Sequence, residues 1–405
     1  MKILTITSVF PNSKQPTLGI FVRERMFKVA RHCELKVIAP VPWFPFIHYF
    51  KKDYRARVPY YEIQNGIDVY HPRFFNIPRF FKFLDGFFFF ISSLITIINL
   101  NKNFNFDIID SHFACPDGFG AILLGRICKK PVTITVRGTI KKLLKNPLLR
   151  IQIKYALKKA AKIFTVCNEL KRIIVSLGIQ EEKVVVISNG VDIEKFKPIE
   201  KIEARKELGI PVDKKVIISI GGLVERKGFH RVISIIPDIK KSMQEVLYVI
   251  VGGASVEGNY EPILRKMVKE LGILDNILFT GPQSHEILYR WLSASDIFCL
   301  ATSNEGWANV FLEAMACGLP VVTTRVGGNE EVVSSEDYGL LFNLEAKREM
   351  VNTIIMAFQK DWNKEKIINY ARSNTWDKRI EQLLSQFREV ITSHNTYASD
   401  EVPVR

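Results

Sequence analysis

The sequence predicts an α/β protein built from two doubly wound, Rossmann-like domains, and three observations carry that prediction. The chain has 405 residues, enough for two or three domains. Short, wholly apolar runs of strand chemistry alternate with helical patterns, and the alternation runs once, stops, and runs again. The runs themselves, such as ILTITSV at residues 3–9, have the composition of strands buried on both sides of a parallel sheet. Hydrophobic residues make up 47% and charged residues 24%, a globular composition that excludes a disordered chain, a collagen-like fibre and a small disulfide scaffold.

Taken in order, residues 2–9 read as the first strand and 22–32 as the helix after it. Strands follow at 35–39 and 107–112, then a helix over 117–128 and a strand at 131–136. A basic helix over 148–162 leads to strands at 163–166 and 184–187. Turn residues and a proline at 189–198, Asn189-Gly-Val-Asp through Pro198, break the pattern. It resumes with a strand at 216–220, a helix at 229–240, a strand at 247–251 and a helix at 262–271. Short strands at 277–279, 297–300 and 321–322 complete the second set. The expected division is therefore 1–190 for the first domain and 191–375 for the second. A last helix begins at Trp376 and reaches about residue 395.

Charge is unevenly distributed. Residues 1–190 carry 30 Lys and Arg against 12 Asp and Glu, a formal +18, whereas residues 191–405 carry 27 against 30. Twenty of the 28 phenylalanines also fall in the first 190 residues. A basic, aromatic half would suit an anionic partner, and Trp43, Phe44, Phe46 and residues 87–90 are expected as contacts with an anionic membrane surface. No nucleic-acid-binding signature accompanies the charge, so no nucleic-acid partner is expected. Residues 86–100 are uncharged but shorter than a spanning helix, which predicts a buried core helix or one that enters a membrane interface. The six cysteines show neither CxxC pairing nor zinc-finger spacing, and a reducing cytoplasmic location without structural metal is expected. The N-terminal strand lacks the long apolar stretch of a signal peptide.

Ligands of open α/β sheets gather at the carboxyl ends of strands. One such end carries Gly221-Gly-Leu-Val-Glu-Arg226-Lys227-Gly228, two cations just before a helix N-terminus, which suits a diphosphate. It is neither a Walker A loop nor a GxGxxG fingerprint. Another carries Ser303-Asn-Glu305-Gly-Trp-Ala-Asn-Val-Phe-Leu-Glu313, expected to cap a helix from Trp307 to Gly318 with Ser303 or Asn304. That places Glu305 in the loop and Glu313 two turns inside, half-buried among Val310, Phe311 and Met315. A carboxylate there suits the cis-diol of a ribose. The N–H groups of Gly306, Trp307, Ala308 and Asn309 would face an anion or sugar oxygens. Asp107-Ile-Ile-Asp110-Ser-His112 ends a first-domain strand and points its imidazole toward the interdomain cleft. The loops 10–21, with Gly19, and Arg137-Gly-Thr139 complete the set.

Together these residues resemble the retaining, nucleotide-sugar-dependent glycosyltransferases of family GT4, which have the GT-B fold. The resemblance spans nearly the whole chain. It runs through Gly19-Ile-Phe21-Val22, Asp107 to His112, Ile187-Ser-Asn-Gly-Val-Asp192, the loop ending Lys227-Gly228, Glu305-x7-Glu313, Gly318-x-Pro320 and Gly327-Gly328-x-x-Glu331. Its N-terminal part looks most like bacterial enzymes of capsular or teichuronic-acid-type polysaccharide assembly.

It implies two domains facing across a cleft, the first binding acceptor and the second binding donor, with the C-terminal helix crossing back to the first. It implies that Lys227 holds the donor diphosphate, Glu313 the ribose and Glu305 the sugar hydroxyls. His112 would bond the sugar near the reacting carbon, Gly19 would pass close to the phosphates, and Arg137 would contact acceptor or sugar. Two departures stand out: Gly222 where many members have arginine, leaving Arg226 to supply that charge, and Arg137-Gly-Thr139-Ile140 where many have His-Gly-Ser/Thr-Asp.

The expected activity is transfer of a sugar from a nucleotide sugar, UDP ahead of GDP, to a carbohydrate or lipid-linked acceptor in cell-surface polysaccharide synthesis. No cofactor or metal is expected, and no Asp-x-Asp motif is present. The expected location is the cytoplasm, peripheral on the inner face of the cell membrane. The alternatives are a GT-B nucleotide-sugar epimerase and a non-catalytic scaffold that only binds nucleotide sugar.

Overall fold

The computed structural model describes residues 1–16, 18–45, 57–76, 81–255 and 257–400, with side chains to residue 396. Thr17 and Phe46, both noted in the sequence, lie outside them. The chain forms two compact units, one of Met1–Asn189 with Asp377–Arg405 and one of Gly190–Trp376.

In the first unit the strands are β1 (Lys2–Ile6), β2 (Glu34–Ile38), β3 (Val41–Trp43), β4 (Tyr61–Gln64), β5 (Ile67–Tyr70), β6 (Arg73–Phe75), β7 (Ile108–His112), β8 (Val132–Val136), β9 (Lys162–Thr165) and β10 (Val184–Val186). Eight of them form one sheet in the order β10-β9-β8-β7-β1-β2-β5-β4, and β3 pairs with β6. The central strands are buried along their whole length, as in β7 and β8, which is why their sequences do not alternate. From β1 the order runs one way to β2 and the other way from β7 to β10. The switch point therefore lies between β1 and β7, where Ile6 pairs with Ser111.

The sequence reading did not anticipate β3 to β6. The signal for β4 and β5 was Asn65-Gly66 between two alternating runs, and both residues have positive φ (48° and 79°), the two-residue hairpin that such pairs favour. The helix expected from residue 117 starts later, at Phe119, after an irregular turn over Ala114–Gly118. The long apolar run forms the helix Asp85–Asn103, which packs against the helix Phe119–Cys128. Glycines permit that approach: a Cβ on Gly86 would lie 2.8 Å from the Phe119 ring, and one on Gly120 2.6 Å from the Phe89 ring.

The last helix, Trp376–Asp400, runs further than expected. From Asp377 on it belongs to the first unit, burying Ile380, Leu383, Leu384, Phe387 and Val390 at helical spacing. Phe387 meets Phe164 edge-on at 5.8 Å, and Lys162 pairs with Glu389 at 3.1 Å.

The second unit holds β11 (Lys215–Ile220), β12 (Val246–Val251), β13 (Ile277–Gly281), β14 (Ile297–Leu300), β15 (Val321–Thr324) and β16 (Gly339–Phe342). They form an all-parallel sheet in the order β13-β12-β11-β14-β15-β16. Its switch point lies between β11 and β14, where Ile218 pairs with Phe298. The helix Phe229–Lys240 turns six apolar side chains to this sheet, among them Val232, Ile235, Ile236 and Ile239. Within the sheet Tyr248 donates to Ser219 Oγ at 2.8 Å, and Ser219 Oγ in turn donates to the Cys299 carbonyl, so a wholly buried hydroxyl pair is satisfied.

Candidate active site

Both switch points carry the residues singled out from the sequence. In the second unit β11 runs into Gly221 and the short turn Glu225–Lys227, and β14 runs into the loop that holds Glu305. The two loops are stitched together. Ser303 N donates to the Arg226 carbonyl at 2.8 Å, and Thr302 Oγ1 donates to the same oxygen at 3.0 Å. Two glycines make the fit possible. Gly228 (φ +76°) and Gly327 (φ +61°) each stand where a Cβ would come within 1.8 Å of a carbonyl oxygen, that of Ala301 and that of Glu305 respectively.

This stitching brings two cations onto one carboxylate. Lys227 Nζ lies 2.5 Å from Glu305 Oε1, and Arg226 Nη1 lies 3.2 Å from the same oxygen. Glu305 is 8% exposed, and the two cations compensate the cost of burying a carboxylate there. Arg226 also forms a fork on Glu257 at 2.6 and 2.7 Å, which together with Glu305 raises its already high pKa. Glu257 escaped the sequence reading because nothing in its own segment marks it. The backbone N–H groups of Gly306, Trp307 and Ala308 donate to no backbone acceptor among the described residues.

The helix after this loop is Asn309–Ala316, two residues later than expected and without a side-chain cap. The reason lies in the stitching, since Ser303 Oγ turns to the Arg226 carbonyl instead. Glu313 consequently sits little more than one turn inside the helix. It is half-buried, as expected, and faces His285, whose Nε2 lies 3.3 Å from Glu313 Oε1. The His285 ring also meets Phe196 edge-on at 5.1 Å. The sequence offered no sign of His285, a lone histidine four residues beyond a strand.

In the first unit Gly19 (φ +67°) begins the helix Ile20–Val29, and a Cβ there would lie 2.3 Å from the Val9 carbonyl. Ser8 beside it is held by Asp117, which accepts from Ser8 N at 2.9 Å and Ser8 Oγ at 2.7 Å. Burial raises the Asp117 pKa to about 7.

His112, which ends β7, is wholly buried. Its Nε2 lies 3.2 Å from Asp110 Oδ2, and Arg137 Nη2 lies 3.3 Å from Nδ1. A guanidinium only donates, so Nδ1 is the acceptor and the ring proton sits on Nε2, facing Asp110. Burial drives the His112 pKa down to about 4, with Arg137 and Arg25 adding to the shift against the opposing pull of Asp110.

Asp110 also accepts from Thr133 Oγ1 at 2.9 Å. Arg137 reaches Asn189 Oδ1 at 3.4 Å and stacks over Phe21 at 4.7 Å. Arg25 completes this buried polar layer at 1% exposure. Among the described residues, then, the structure gathers Arg226, Lys227, Glu305 and the 306–309 segment in one unit, and His112 with Arg137 in the other.

The same division appears on comparison with known proteins. Residues 30–195 match the model of Glycosyltransferase Family 4, and residues 200–374 that of Glycosyl transferases group 1. A putative teichuronic acid biosynthesis glycosyltransferase, TuaC of Bacillus subtilis, is 27% identical over 84% of this chain and 85% of its own length. The chain spans little more than half the length of several D-inositol 3-phosphate glycosyltransferases, 58% for that of Thermomonospora curvata at 26% identity.

Among solved structures, sucrose-phosphate synthase of Thermosynechococcus elongatus superimposes with a TM-score of 0.79 at 18% identity, covering 97% of this chain and 100% of that one. The Anabaena protein HepE in complex with UDP gives 0.73 at 18% identity, covering 96% and 100%. With both halves matched and the two Rossmann-like sheets in place, the chain belongs to the group 1 glycosyltransferases of family 4 and has the GT-B fold.

Proposed function

We propose that this transferase moves a sugar from a nucleotide sugar, UDP-linked rather than GDP-linked, to a carbohydrate or lipid-linked acceptor in cell-surface polysaccharide assembly. The observation that carries the reading is the convergence of Arg226 and Lys227 on Glu305 at the β11/β14 switch point, beside the N–H groups of Gly306, Trp307 and Ala308. In this reading the donor diphosphate takes the two cations and the N–H groups extending to Asn309. Glu305 turns to the sugar hydroxyls, and Glu313 accepts from the ribose diol. His112 and Gly19 act on the sugar and phosphates, with Arg137 on acceptor or sugar.

Cleavage of the bond between the anomeric carbon and the phosphate oxygen leaves a nucleoside diphosphate, and negative charge grows on its phosphates. Lys227, Arg226 and the 306–309 N–H groups stabilise that charge in a partly buried setting, so the site supplies its own cations without a metal. For retention, the acceptor hydroxyl attacks from the face that the diphosphate leaves, and its proton passes to a departing phosphate oxygen. No protein base is needed for that step. The reading places the enzyme in the cytoplasm. Formation of a free epimerised donor without acceptor would instead mark an epimerase.

Donor binding provides the direct test. UDP at a hundred times its Kd should stabilise the protein by about 2.7 kcal/mol, seen as a raised unfolding temperature. GDP should do so more weakly. A melting curve unmoved by UDP, GDP and their sugars would remove the donor-site assignment.

A further inference from the structure

In the first unit the helices Asp85–Asn103, Phe119–Cys128 and Pro147–Lys159 pack side by side on one face of the sheet. Their outer surface is apolar where water should be. Phe87, Ile91 and Ile95 stand four residues apart on the first helix, and they are 48%, 49% and 74% exposed. Leu148 and Ile151 on the third are 49% and 67% exposed. Of the eighteen large apolar side chains exposed among the described residues, seven belong to this layer or to Phe81 just before it. Such concentration marks an interaction surface rather than scattered surface leucines.

The charge on the same surface has one sign. The helix Pro147–Lys159 carries four Lys and Arg and no Asp or Glu. Arg150, Lys154 and Lys158 are exposed at four-residue spacing beside Leu148 and Ile151, and among the described residues they make no ion pair. The first helix carries a single carboxylate, Asp85, which is buried and paired with Lys82 at 3.3 Å.

We infer that this three-helix face is the surface by which the protein lies on a bilayer containing anionic phospholipid. Exposed aliphatic and Phe side chains enter the acyl boundary while the adjoining cations meet headgroup phosphates.

By length and composition the segment Lys82–Asn103 could cross a membrane. Its inner side, however, is engaged: Phe89 is wholly buried against Phe74, and Gly86 and Gly120 hold the two helices in close contact. The helix therefore lies along the interface and does not span it. The contacts expected from the sequence change accordingly. Phe87 remains, Phe89 is withdrawn into the core, and Ile91, Ile95, Leu148 and Ile151 are added. The surface itself does not rest on the proposed reaction, although a lipid-linked acceptor would explain its use.

Flotation of the full chain with vesicles tests it. On phosphatidylcholine with roughly a third phosphatidylglycerol the protein should float, losing binding as salt rises or as the anionic lipid is omitted. Replacing Arg150→Gln and Lys154→Gln together should weaken partitioning about 25-fold, near five-fold for each charge. The pair Ile91→Ser and Ile95→Ser should weaken it about ten-fold or more at unchanged charge. All variants should melt and bind UDP as the parent does, which separates failure of this inference from failure of the donor-site reading. Absence of flotation on anionic vesicles would overturn the proposal, as would flotation unaffected by both pairs. So would a dimer that Ile91→Ser and Ile95→Ser convert to monomer without any lipid binding.

Discussion

Replacing Lys227 with alanine should lower kcat/KM for transfer by about 10²–10³-fold, the size of loss seen when one preorganised charge-stabilising donor is removed. The site explains why no neighbour substitutes. Lys227 Nζ lies 2.5 Å from Glu305 Oε1, whereas Arg226 spends most of its guanidinium on Glu257. Its remaining contact with Glu305 is the longer one, at 3.2 Å. Glu305→Ala should cost a similar factor for a different reason. Without the carboxylate, two partly buried cations face each other, and the sugar loses its acceptor. The two losses should not add. Once Lys227 is gone, Glu305 has lost its main partner, so the double variant should fall by clearly less than the product of the single effects. Steady-state kinetics on the four proteins, with UDP affinity measured beside them, checks this. A strictly additive cycle would mean that the Lys227–Glu305 pair has no counterpart during the reaction.

The second large effect is on stability. Asp110→Ala should destabilise the protein by about 3–5 kcal/mol, as when one partner is removed from a buried charge cluster. Asp110 is wholly buried, accepts from Thr133, faces His112 Nε2 and is the carboxylate set against the buried Arg25 and Arg137. Without it two guanidiniums stay buried with no anion among them. Denaturant unfolding read through the first unit measures the cost, and a loss below 1 kcal/mol would show that water already supports the cluster.

A pH profile adds a separate signature. The folded His112 pKa, about 4, lies below its ordinary value, so the neutral ring contributes stability above pH 6.5. That contribution, about 3 kcal/mol for a shift of this size, is lost as pH falls from 6.5 through 4. His112→Gln should flatten this slope. The acid limb should be read against Asp117, whose raised pKa of about 7 acts in the opposite sense, favouring the fold at low pH and weakening it as pH rises toward 7.

The sequence made the second unit's architecture legible because each buried parallel strand is a short apolar run and each loop that carries chemistry follows one. Gly221 to Lys227 and Ser303 to Glu313 could be located that way, since strand order is not needed to know which end of a strand a motif follows. What sequence position alone could not show were pairings between distant segments. Glu257 and Arg226 are separated by 31 residues, and His285 and Glu313 by 28. The Ser303 hydroxyl, which sequence proximity assigned to capping, turns instead to a carbonyl 77 residues back. In the first unit the strand ending at His112 was placed correctly but its surroundings were not. The neighbours of His112, Arg25 and Arg137, lie 87 and 25 residues away in sequence, so no local pattern could show that they surround it.

The four charges at the β11/β14 switch point have one more consequence. Arg226 and Lys227 are matched by Glu257 and Glu305, so this group carries two positive and two negative charges and no net charge. On the proposed donor reading, an arriving diphosphate meets little long-range attraction from these residues. It must displace carboxylates already in place, and its recognition becomes an exchange of anions at short range. Selectivity then falls on fit: a ligand succeeds by offering its oxygens where the carboxylates stood, and a merely highly charged competitor such as free polyphosphate gains little. The excess positive charge of this protein belongs to the other unit, and the proposed donor site lies where that excess has no counterpart.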